Sequence, residues 1–90
     1  MQARVDPEEL KAFAATLEHA NGNFREMTSH LHTQFDALTD TWQDHLAERF
    51  ATEFHHTTLA INHFLNESEQ FIAYLRGKAQ IIEDQYFGRS

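Results

Sequence analysis

Seven histidines in 90 residues are the side chains of this sequence best suited to chemistry, because imidazole binds metals and moves protons near neutral pH. One spacing matches a known ligand pattern. Glu53-x-x-His56 is the helical pair with which di-iron four-helix bundles hold their metals. That chemistry needs both side chains to point inward and further carboxylates to face them. On a helix, Phe50, Phe54 and Ile61 mark the inward side. His56 points well away from it and Glu53 lies at its edge. His45, His56 and His63 share one outer face, but their spacings of 11 and 7 residues set them roughly 16 and 10 Å apart along the axis. A metal ion needs its ligands within about 2 Å. His55 points elsewhere, His30 and His32 flank the first helix on opposite sides, and His19 approaches His63 only as a surface pair. The expectation is solvated histidines, no metal and no cofactor. A metal-binding bundle is the weakest functional reading.

Other chemistry has less support. There is no cysteine, hence no thiol nucleophile, disulfide or thiolate zinc site. Ser29-His30 and Ser68 lie in helical stretches without an oriented base and acid, and no glycine-rich phosphate loop is present. The chain is not expected to be an enzyme. Fourteen Asp and Glu against seven Lys and Arg give a net charge of -7, which disfavours nucleic acid and anionic membranes. No apolar run approaches the roughly 20 residues of a membrane span. "MQARVDPEEL" has no basic region followed by an apolar core, so no cleavable signal peptide is expected.

The elements that position these residues are helices. Three Gly and one Pro leave long uninterrupted stretches. "DPEE" supplies an N-cap at Asp6, Pro7 at the first helical position and Glu9 at the capping-box position. Leu10, Leu17, Phe24, Leu31 and Leu38 then recur every seven residues, with Phe13, Ala20, Met27 and Gln34 between them. That 3-4 pattern predicts a packed helical seam. Its phase passes unchanged through Asn21-Gly22-Asn23, so no break is expected there. A second apolar stripe runs from Leu46 to Tyr86, with Leu59 off it. Between the two, Asp40 with Gln43, or Asp44 one turn later, can start the second helix. The expected fold is all-α: one domain over 1–90, with helix 1 over about 7–39, a turn over about 40–43 and helix 2 over about 44–86. Both options place Trp42 at the mouth of an antiparallel hairpin.

The second stripe is wider than one partner helix can cover. A second hairpin completing a four-helix bundle is the simplest way to bury the excess. The expected interface is Phe24, Leu31, Phe35, Phe64, Phe71 and Leu75, with a second copy favoured over a different chain of similar shape.

With hairpin, length and central tryptophan in place, the sequence resembles the WXG family of small type VII (ESX-like) secretion proteins. Trp42 stands at the mouth, Phe50 follows where the family places an aromatic, and Ala47 is the small residue between them. The resemblance implies homo- or heterodimers, export without a cleavable signal peptide, and handling by an FtsK/SpoIIIE-type ATPase. Trp42, Gln43, Asp44 and Phe50 would form the turn motif. Two departures stand out. Asp44 replaces the motif's glycine. Tyr74 is followed four residues later by Lys78, and Tyr86 by Ser90, where a Tyr-x-x-x-Asp/Glu export signal has an acid. The resemblance implies a non-enzymatic secretion substrate or partner. The alternative is a cytoplasmic adaptor or chaperone-like dimer that is not exported.

Overall fold

Helix 1 begins where its first residues dictate. The Asp6 side chain accepts from the Glu8 N–H at 2.9 Å, and Pro7 opens the helix with Glu8 and Glu9 in its first turn, where acids complement the exposed N–H groups. In the computed structural model, which describes residues 5–86, α1 runs from Pro7 to Leu38 and α2 from His45 to Tyr86. Ser90 lies outside the described residues. The helix passes through Gly22 without interruption, and a Cβ at Gly22 would meet nothing within 4 Å. The two helices form an extended hairpin, 67 × 24 × 15 Å, in which only one layer of contacts joins them.

That contact layer is a heptad seam. On α2 every residue of the series Ala47, Ala51, Phe54, Thr58, Ile61, Leu65, Ser68, Ile72, Leu75, Ala79 and Ile82 is buried or half-buried. Alternating steps of four and three keep one stripe of a helix facing one neighbour. On α1 the matching stripe is Leu10, Ala14, Leu17, Asn21, Thr28, His32 and Phe35. This corrects the seam expected from the leucine and phenylalanine repeat. Phe13, Phe24, Met27, Leu31 and Leu38 are 42–56% exposed, whereas Ala14 and Asn21 are buried. On α1 the fully buried positions are small or polar, while several large side chains lie on the flank.

One polar pair interrupts the seam. The Asn21 side-chain N–H donates to Ser68 Oγ at 2.7 Å, both residues are buried, and Asn21 Oδ1 has no partner among the described residues. A buried polar group at such a position stabilises less than an apolar one but fixes register. His32 also departs from the solvated expectation: it is half-buried, its ring 4.7 Å from Phe54 and its Nε2 3.4 Å from Thr58 Oγ1.

Charges on one flank set the same register. Lys11, Glu18 and Arg25, spaced by heptads on α1, pair with Glu83, Arg76 and Glu69 on α2. Signs alternate along both rows. A slip of one heptad would set Lys11 against Arg76 and Glu18 against Glu69, so that register meets like charges. The hydrogen bond from Arg76, with its charge, holds the Glu18 carboxyl below the ordinary range. A lowered folded pKa means that the pair stabilises the hairpin above the unfolded value and stops doing so as pH falls through the folded one. In urea melts, wild type should therefore exceed Glu18→Gln at pH 6. The gap should close in strong acid, below the ordinary glutamate pKa of about 4.3. A gap unchanged down to acid denaturation would contradict this role for the pair.

Candidate functional site

The flank opposite the charge row is apolar and open. Each residue of the α2 seam is preceded by one that is exposed: Leu46, Phe50, Glu53, Thr57, Ala60, Phe64, Glu67, Phe71, Tyr74, Lys78 and Ile81. This is a second heptad stripe, parallel to the first. Phe13, Phe24, Met27, Leu31 and Leu38 form its counterpart on α1. Aromatic rungs bridge the two helices across this face. Phe13 meets Phe71 edge-on at 6.5 Å and Phe24 meets Phe64 at 6.3 Å. Near the mouth, Phe35 lies 5.1 Å from Phe50 and 5.7 Å from Phe54.

Two grooves lie between these rungs. One, of about 440 Å³, is lined mainly by Leu31, Phe35, Leu38, Phe50, Phe54 and Ile61, with Glu53 among its polar residues. The other, of about 480 Å³, includes Phe13, Leu17, Phe64 and Phe71, with Glu67 and Ser68. Exposed apolar side chains dominate this flank, with Glu53, Thr57, Glu67 and Lys78 interspersed along its α2 stripe. Five of the six interface residues expected from the sequence fall here: Phe24, Leu31, Phe64 and Phe71 are exposed and Phe35 is half-buried. Leu75 does not. It is only 6% exposed and packs with Ala14 and Ile72 inside the hairpin, because it belongs to the inner of the two stripes.

The hairpin mouth is closed by backbone and side-chain hydrogen bonds. The Thr39 N–H donates to the Phe35 carbonyl at 3.0 Å and the Trp42 N–H to the Leu38 carbonyl at 2.9 Å, using carbonyls that the end of α1 leaves free. Gln43 Nε2 donates to the Thr39 carbonyl at 3.0 Å. Asp44 caps α2: its Oδ1 accepts from the Ala47 N–H at 3.0 Å. Of the two capping options the sequence allows, the structure uses Asp44, and Gln43 closes α1 instead of starting α2. Trp42 is half-buried at this end, while Gln43, Asp44 and Phe50 are exposed. No described residue has a positive φ, so the backbone at Asp44 does not require glycine. Asp44→Ala should lower stability by about 1 kcal/mol and Asp44→Gly by only a few tenths, read from urea midpoints. Equal losses would contradict the capping role.

Glu53 faces the apolar groove and His56 is exposed. Among the described residues no group of three or more His, Cys, Asp or Glu is placed to hold a metal ion. No described helix is long and apolar enough to cross a membrane.

Comparison with known families gives one result. Residues 2–85 match the model of WXG100, described as proteins of 100 residues with WXG. No curated protein and no solved structure matches the chain.

Proposed function

Because the chain belongs to the WXG100 family, we propose that it is a non-enzymatic subunit of a type VII secretion system, acting as a dimer through its open apolar face. The observation that carries this reading is the family match over nearly the whole chain, joined to a second heptad stripe whose residues are all exposed. A helix with two adjacent stripes has the pattern of a four-helix bundle, where each helix touches two neighbours. The partner is a second copy or another WXG-like chain. The end formed by Trp42, Gln43, Asp44 and Phe50 is offered to an FtsK/SpoIIIE-type ATPase, and export proceeds without a cleaved signal peptide.

The test is export from a host carrying the system. The chain should reach the medium when the ATPase is present and stay in the cells when it is deleted, and Trp42→Ala should reduce export without unfolding the hairpin. Retention in both hosts would overturn the export reading and leave the cytoplasmic adaptor. That second reading draws on one feature: Lys78 stands four residues after Tyr74, where a Tyr-x-x-x-Asp/Glu export signal would have an acid.

A further inference from the structure

We propose that the charged flank carries a binding site for a neutral amide group, in the groove lined by Asn21 between the ion pairs Glu18–Arg76 and Arg25–Glu69. The groove lies on the flank opposite the apolar face, so covering that face leaves it accessible. The site starts from a buried amide whose hydrogen bonding is incomplete. Asn21 is 1% exposed, its N–H donates to Ser68 Oγ at 2.7 Å, and its Oδ1 has no partner among the described residues. A buried acceptor without a donor loses its hydration and gains nothing in return. Leu65 and Ile72 stand on either side of Ser68 in the seam, so an apolar pair would suit this level of the hairpin better than an amide.

The groove that Asn21 lines has a volume of about 400 Å³, against roughly 30 Å³ for a water molecule. Its ends are the two ion pairs, one heptad or about 10 Å apart. At one end Arg76 holds both oxygens of Glu18, with Nη2 to Oε1 at 3.0 Å and Nη1 to Oε2 at 3.4 Å. That pair is closed. At the other end Arg25 Nη2 reaches Glu69 Oε2, a single contact that leaves the second oxygen of Glu69 and further N–H groups of Arg25 for a ligand. Ile72 and Ala73 add an apolar patch, and the short Ala73 side chain keeps the α2 wall low.

These groups define the ligand. Two guanidinium groups and two carboxylates surround the groove, so a full charge would lose to one pair what it gains from the other. The open positions ask for a donor toward Asn21 Oδ1 and Glu69, and an acceptor for Arg25. A carboxamide or ureido group carries both on one plane. It serves Asn21 either way round, because the Ser68 hydroxyl can accept from the Asn21 amide or donate to it. Oδ1 is itself buried, but the four charged side chains along the groove are 46–62% exposed. Exposed side chains change rotamer in picoseconds to nanoseconds, which lets a small planar group reach it. Such a group comes from a free small molecule or from an Asn or Gln side chain of another polypeptide.

The test is a nuclear magnetic resonance titration of the ¹⁵N-labelled full chain, following the Asn21 side-chain amide and the Arg25 Nε–H. Propionamide is the small probe and a capped Ala-Gln-Ala peptide the polypeptide probe. Propionate, of the same size but without N–H, is the control. Propionamide should move both signals saturably, with Kd on the order of 10 mM. Propionate should not. Asn21→Leu removes the amide, and Ala73→Leu fills the groove from an exposed position without touching the Asn21–Ser68 pair. Each should weaken binding at least about tenfold, with unchanged circular dichroism. A Gln peptide that binds at least about tenfold tighter than propionamide assigns the site to a polypeptide; equal or weaker binding assigns it to a free molecule. Three results would overturn the site: no saturable shift with either amide, leaving an ordered water only; equal shifts with propionate; or binding undiminished in Ala73→Leu.

Discussion

Phe64→Asp should reduce the dimer to monomers at micromolar concentration, weakening association by at least about 100-fold. Phe64 is 49% exposed and meets Phe24 edge-on at 6.3 Å. It lies beside the middle of α2, where a covering partner excludes water most completely. Aromatic residues at the centre of an interface carry about 2–4 kcal/mol each, and a carboxylate in their place adds its own desolvation cost. The hairpin itself should survive, because Phe64 is outside the inner seam. Sedimentation equilibrium and circular dichroism should therefore part company: the mass falls while the helical signal largely stays. An unchanged dissociation constant would show that this face is not the interface.

The neighbouring residue should behave differently. Leu65→Ala should lower unfolding stability by about 2–5 kcal/mol, the range for emptying a buried leucine site. Leu65 is 3% exposed and lies in the seam between the helices. Against a total of about 5–15 kcal/mol for ordinary domains, that loss is large for a two-helix chain. Dimerisation couples to unfolding by mass action, so both variants must be melted in urea over a range of concentrations. The deficit of Leu65→Ala should persist at all of them. That of Phe64→Asp should reflect lost association, its melt having little dependence on concentration. A Leu65→Ala shift under about 1 kcal/mol would contradict the seam assignment.

The helical hairpin was legible because its signals are local and redundant. Asp6, Pro7 and Glu9 announce a helix start, and the unbroken phase of Leu17 and Phe24 carries the helix through Gly22. The neighbour each stripe faces was less legible. Hydropathy draws attention to Phe24, Leu31 and Leu38, yet the buried positions of α1 are Ala14 and Asn21, whose small size suits them to a tight seam. The spacing does not separate Leu75 from the outer stripe for a similar reason: the two stripes on α2 differ by a single residue, and both contain large apolar side chains. Hydropathy does not reveal Asn21–Ser68, because neither residue is apolar. Its signal was positional, since Asn21 lies seven residues from Ala14 and from Thr28 along one column. The charge row was legible in principle. Lys11, Glu18 and Arg25 stand at heptad spacing, as do Glu69, Arg76 and Glu83, with signs that match at all three pairs in only one antiparallel register.

The central claim is that this hairpin is half of a bundle, completed by a second copy on the face bearing Phe24, Phe64 and Phe71. The mass of the purified full chain at micromolar concentration, by sedimentation equilibrium at neutral pH, tests it most directly. The account predicts twice the chain mass of 10.5 kDa; a single species at 10.5 kDa would contradict it.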